Sequence, residues 1–146
     1  MNSSITVTCQ VGSTNPVAKL GIEICLDGVI VYECEHVNFE ATPVTFEVID
    51  DENEHELSFI LKNKTQDHTK IDEDGNIISD SNIIISDLAF DNIKLKHIVT
   101  KLATYSHDYN GSGPQTQSKF YGEMGCNGTV ALRFSTPIYL WLLEHM

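Results

Sequence analysis

The chain has 146 residues, enough for one hydrophobic core and short for two, so it is read as a single domain spanning 1–146. Nine Lys and Arg against 21 Asp and Glu leave a formal charge of -12, which repels phosphate backbones and anionic headgroups and excludes nucleic acid and membrane surfaces as partners. Hydrophobic residues make up 41%, too many for a disordered chain, and no apolar run reaches the roughly 18 residues of a membrane-spanning helix.

The polar start Met1-Asn2-Ser3-Ser4 predicts no secretion signal. Cys9, Cys25, Cys34 and Cys126 are far apart, without a Cys-x-x-Cys pair or zinc-like spacing, and read as reduced thiols of a protein made in a reducing cytoplasm.

In chain order, Ile5 and Val7 begin a first strand. Leu20, Ile22, Ile24 and Leu26 alternate with other residues, Asp27-Gly28 supplies a tight turn, and Ile30, Tyr32 and Cys34 return, which predicts a β-hairpin. Val44, Phe46 and Val48, an acidic turn over 50–54, then Leu57, Phe59 and Leu61 predict a second hairpin. Residues 63–81 are polar and read as a long loop with a small hairpin around Asp74-Gly75-Asn76. A strand over 82–90 follows. Leu95, Ile98, Val99 and Leu102 recur at helical spacing, with Asp91 or Asn92 as N-cap, and predict one short helix. The chain then returns to strand near 103–109. Residues 110–119, with Gly111, Gly113 and Pro114, read as an exposed loop. Val130, Leu132 and Phe134 form the last clear strand, and the apolar tail from Thr136-Pro137 to Leu143 fits either a helix or an edge strand. Together these predict an all-β, jelly-roll-like antiparallel sandwich with one short helix. Ile22, Ile24, Phe46, Val48, Leu57, Phe59, Leu61, Val130, Leu132 and Phe134 are its inward face.

The motifs of enzymes are missing: no Gly-x-Ser-x-Gly elbow, no phosphate-cradling Gly-rich loop and no His-Glu-x-x-His helix. The expectation is a non-enzymatic protein. Asp72-Glu73-Asp74-Gly75-Asn76 suggests calcium, but an EF-hand starting at Asp72 would need Gly where Ile77 stands and Glu where Ile83 stands. Tyr105, Tyr109 and Tyr121 lie near His107, Asp108 and Asn110 in sequence. Aromatic faces beside hydroxyl-reading polar groups suit a sugar, and Tyr105, His107, Asp108 and Tyr109 are the candidate sugar-binding residues. Within the tail, Tyr139, Trp141 and Leu143 are the candidate partner contacts, because the run from Ile138 to Leu143 is larger than one sandwich edge usually buries alone.

Four segments follow in order the pattern of a known family. They are Leu20-Gly21-Ile22-Glu23-Ile24-Cys25-Leu26-Asp27-Gly28-Val29-Ile30-Val31, Thr45-Phe46-Glu47-Val48, His55-Glu56-Leu57-Ser58-Phe59 and Asp80-Ser81-Asn82-Ile83-Ile84-Ile85-Ser86-Asp87. Over roughly residues 20–90 the chain resembles small calcium-dependent xylan-binding carbohydrate-binding modules. That resemblance implies a Ca²⁺ site at Asn63, Asp80 and Asn82, with Asp80 as the main carboxylate. Where the family has Asp after the Asn, this chain has Lys64, whose ammonium repels a divalent cation unless it points away.

Nearly the whole chain, above all Phe120-Tyr121-Gly122-Glu123-Met124-Gly125-Cys126-Asn127-Gly128-Thr129-Val130 and Thr136-Pro137-Ile138-Tyr139-Leu140-Trp141-Leu142-Leu143, resembles small proteins encoded by large tailed phages of marine bacteria. This second resemblance implies a virion protein made in the host bacterial cytoplasm, a structural or decoration component of capsid surface, neck or tail. Its partners would be other virion proteins or further copies of itself. The alternative is a calcium-dependent adhesion module for host surface polysaccharide.

Overall fold

Alternation of buried and exposed side chains along the longer strands gives them a core face, and two antiparallel sheets close over those faces. The protein was studied as a computed structural model, which describes residues 4–15, 17, 19–64, 69–108 and 113–145. The strands are β1 (Ser4–Ser13), β2 (Gly21–Leu26), β3 (Val29–Cys34), β4 (Thr42–Ile49), β5 (Glu54–Lys62), β6 (Thr69–Ile71) and β7 (Ile77–Asp80). They continue with β8 (Ile83–Phe90), β9 (Ile93–Lys94), β10 (Thr104–His107), β11 (Thr116–Lys119), β12 (Glu123–Met124) and β13 (Gly128–Ser135). Two short helices, α1 (Lys96–Leu102) and α2 (Ile138–His145), complete the described structure, and neither is long and apolar enough to cross a membrane. One sheet runs β12-β8-β1-β4, with β9 also paired to β8; the other runs β11-β10-β13-β5-β2-β3; β6 and β7 form a separate hairpin.

The β2–β3 hairpin forms as expected. Leu26 pairs with Val29, and Asp27 and Gly28 take φ of 52° and 83°, the left-handed pair that a two-residue turn between twisted strands requires. The second expected hairpin does not form: β4 pairs with β1 in one sheet, while β5 pairs with β2 and β13 in the other. Residues 50–53 therefore carry the chain from one sheet to the opposite one. The expected N-cap is also replaced. Asp91 and Asn92 adopt φ of 48° and 67° in the turn where Phe90 pairs with Ile93, and Leu95 occupies the cap of α1 without a side-chain bond. The loop expected over 110–119 gives way at its end to β11, and the tail is a helix rather than an edge strand.

Nine of the ten expected inward residues are buried; Phe46 is half-buried against the same cluster. Trp141 packs on Phe90 and Phe134 with centroids 6.0 and 6.1 Å away, so α2 seals the core with an aromatic group whose offset and edge contacts add to simple burial. At the outer border, Val29, Ile30 and Val31 of β3 are exposed. All four cysteines are free thiols, Cys9 and Cys25 buried.

The crossing from β4 to β5 is held by a clasp. His55 sits with Nδ1 2.7 Å from Asp27 Oδ2 and Nε2 2.8 Å from Asp51 Oδ1, while its ring stacks on Phe134. Thr136 Oγ1 donates to Asp51 and accepts from the Asn53 amide. A hydrogen bond from His55 is the main reason the Asp51 carboxyl is lowered to about 2. Burial alone would raise Asp27, but His55 and the Glu56 amide draw it below the usual carboxylate value. Burial likewise would lower His55, and the bonds and charges of Asp27 and Asp51 lift it above its usual 6.5.

A raised histidine contributes stability that is complete below its unfolded value and is lost as pH climbs through the folded one. The depressed carboxylates contribute stability complete above about 4 and lost as pH falls through their folded values. The clasp is thus at full strength between about pH 4 and 6.5. Thermal melts of wild type and His55→Asn should differ most in that interval, and the difference should shrink above about pH 7. A gap independent of pH from weakly acid to weakly alkaline buffer would contradict the charged clasp.

Candidate functional site

At one end of the sandwich three connections meet around a lysine. After β5, Asn63 takes a φ of 68° and its amide lies against Gly21. The next residue, Lys64, is clamped by Asn127: the Lys64 amide donates to Asn127 Oδ1 at 2.9 Å, and Asn127 Nδ2 donates to the Lys64 carbonyl at 2.8 Å. The Lys64 side chain is 1% exposed. Its Nζ donates to Asp80 Oδ1 at 2.7 Å, to Asn82 Oδ1 at 3.0 Å and to the Gly125 carbonyl. An ammonium has three N–H groups and no acceptor, so every donor of this buried cation is used.

The surrounding chain is fixed by further bonds. Asn82 exchanges backbone contacts with Thr14, whose amide donates to its carbonyl and whose Oγ1 accepts from its amide. Asn82 Nδ2 donates to Glu123 Oε1 at 2.6 Å. On the other flank, Tyr105 O–H donates to the Cys126 carbonyl and accepts from the Cys126 amide. The loop Gly125-Cys126-Asn127 is thus held between Lys64 and Tyr105.

Asp80 and Asn82 of the expected calcium set come together, whereas Asn63 contributes through its backbone turn and not through its amide. Calcium takes six to eight oxygens. Here the converging oxygens already accept from an ammonium, and a divalent ion beside it would meet a like charge at close range. The residues present do not fit calcium. Among the described residues no group of three or more His, Cys, Asp or Glu is arranged to hold a metal.

The expected sugar residues divide. Tyr105 is 7% exposed, its hydroxyl is pushed up to about 12 by burial, and its ring lies in the core cluster, so it offers no face to a ligand. His107, its ring 4.8 Å from that of Tyr105, and Asp108 are half-buried at the same end as Lys64. Tyr109 lies outside the described residues. The expected partner contacts divide as well. Trp141 belongs to the core, a correction that follows from helical spacing: at α2's pitch Ile138, Trp141 and Leu142 face inward and Tyr139, Leu140 and Leu143 outward. Tyr139 O–H donates to Asp91 Oδ2 at 2.9 Å.

A cleft of about 550 Å³ opens beside β8, between Tyr121 and Glu123 on one side and Lys94, Val99 and Thr100 on the other. Its shape comes from two backbone devices. The β1–β8 pairing shifts register between Thr8·Ala89 and Gln10·Ser86, leaving one extra residue on β8, and Asp87 there has φ of 55°. Such a bulge breaks the alternation, so Asp87 is exposed while Leu88, Ala89 and Phe90 are all buried. Opposite, Phe120 is buried and Gly122, at φ of 99°, turns the chain so that its carbonyl accepts from the Ile85 amide at 2.8 Å. Tyr121 between them is 75% exposed. This combination of an exposed aromatic, a partly apolar floor and the polar Ser86, Asp87, Lys94, Thr100 and Glu123 is visible only once the bulge is known. The Phe-Tyr-Gly triplet was its one trace in sequence.

Two facing antiparallel sheets with short helices make a β-sandwich whose fold is like that of carbohydrate-binding modules. In particular, two solved structures of vCBM60 share the fold. The selenomethionine form, from work on a circular permutation linking two families of calcium-dependent carbohydrate-binding modules, has a TM-score of 0.58 at 8% identity, covering 88% of this chain and 89% of that one. The complex of vCBM60 with galactobiose gives 0.53 at 8% identity, covering 87% and 96%. No family model matches the sequence, and no curated protein matches it.

Removing one partner of a buried pair strands the other's charge. Lys64→Met should therefore cost about 3 kcal/mol in denaturant unfolding, the low end of the usual range because Asp80 keeps some access to water. Tyr105→Phe removes both bonds to Cys126 and should cost about 1–3 kcal/mol. Two variants as stable as wild type would show that this end of the sandwich is held by its strands alone.

Proposed function

We propose that the chain is a non-enzymatic carbohydrate-binding module that reads a glycan in the cleft beside Tyr121. The observation that carries this reading is the fold shared with vCBM60 over nearly all of both chains, a protein whose complex contains galactobiose. The cleft supplies the chemistry. The Tyr121 ring offers an apolar face for a sugar ring, and Asp87, Glu123, Ser86 and Lys94 offer acceptors and donors for its hydroxyls. The Lys64 ammonium has no N–H left for a ligand and Tyr105 is buried, so neither of these two side chains serves a sugar. His107 and Asp108 are half-buried at that end.

The resemblance of the sequence to tailed-phage proteins supports a place on the virion, with host surface polysaccharide as the glycan. A structural role in the particle is supported by one specific observation, the exposed Tyr139, Leu140 and Leu143 on α2. The two roles are compatible.

A glycan array followed by titration calorimetry with galactose- and xylose-based oligosaccharides tests the main reading. Tyr121→Ala should weaken binding at least about tenfold without moving the melting temperature, since the ring is mostly in water. His107→Ala should have the smaller effect. A wild type that binds no glycan, or a Tyr121→Ala variant that binds as wild type does, would remove the cleft from consideration.

A further inference from the structure

The bonds around Lys64 have the composition of a hard-cation cage. They come from three separate connections: Asp80 and Asn82 between β7 and β8, Gly125 between β12 and β13, and the lysine itself after β5. The oxygens are one carboxylate, one side-chain amide and one backbone carbonyl, the mixture that oxygen-seeking divalent ions select. Among the described residues the ammonium forms an ion pair with one carboxylate, that of Asp80.

We propose that the Lys64 ammonium is a built-in cation filling a latent divalent-metal cage, so that this end of the fold is ordered without metal and accepts a metal only when the ammonium is replaced by a carboxylate. A carboxylate at position 64 would restore the balance for a divalent ion, two negative groups against two positive charges, and would add oxygen ligands where the ammonium stood. The inference concerns the cage and stands whether or not the cleft binds a glycan.

Thermal melting and titration calorimetry on wild type, Lys64→Asp and Lys64→Met, each in EDTA, in CaCl₂ and in MgCl₂, test it. Wild type should melt at one temperature in all three. Lys64→Met should melt about 10 °C lower in every buffer. Lys64→Asp should be at least as destabilised in EDTA, or unfolded, and should recover in calcium with one equivalent bound. Lys64→Glu provides the same test with a longer carboxylate if the Asp variant does not fold even with the ion present. Three results would overturn the proposal: wild type stabilised by one equivalent of calcium in a manner lost in Asp80→Ala; Lys64→Met melting as wild type does; or both carboxylate variants failing to respond to calcium.

Discussion

A charge removed from water must be answered inside the protein, and at one end of this sandwich that requirement organises the loops. Burying the Lys64 ammonium without partners would cost several kcal/mol, a large share of a domain's stability margin. Its three N–H groups therefore find three oxygens, each on a different stretch of chain from the lysine itself. Asn127 fixes the lysine backbone, Thr14 and Glu123 fix Asn82, and Tyr105 fixes the loop on the far side. The strands alone would leave these connections free to take other paths. The cation gives them a common point.

The fold is shared with vCBM60, and at this end of it the buried cation is a side chain. A metal ion with six to eight coordination positions can hold protein oxygens and still lend a position to a ligand. An ammonium with three donors, all engaged, holds the loops and lends nothing. The cleft at the β8 bulge is lined by residues other than those the ammonium touches. There a one-residue insertion turns Asp87 outward and Gly122 permits the reversal that presents Tyr121.

Local periodicity revealed much of the architecture. The Leu20 to Cys34 hairpin, the small hairpin at Asp74-Gly75-Asn76 and the inward face of β13 all follow from alternation and turn chemistry, which act within a few residues. The partners of β4 and β5 did not follow. An alternating strand, an acidic turn and another alternating strand look the same whether the turn joins neighbours in one sheet or arches across to the opposite sheet, because the buried face has the same period in both. The capping role assigned to Asp91 or Asn92 failed for a related reason: a residue that tolerates positive φ suits a tight turn as well as a cap, and the β8–β9 pairing took both. At the candidate site the family resemblance points to Asp80 and Asn82, and the structure brings their side chains together on the Lys64 ammonium. That Lys64 points into them, and does not turn away, depends on Asn127, 63 residues further along, and no local pattern carries such a contact.

The exposed Val29, Ile30 and Val31 lie on β3, which ends the six-stranded sheet, so an apolar strip runs along a strand edge that no other described strand pairs, a ready template for another strand. At neutral pH the charge of -12 keeps two such borders apart. Near pH 4.7 that charge vanishes, and this pH falls within the interval in which the His55 clasp is strongest. The folded molecule is therefore least protected colloidally where one of its internal ties is tightest. Added salt brings the same exposure toward neutral pH by screening the surface, while the Lys64 contacts, shielded from solvent, are little affected.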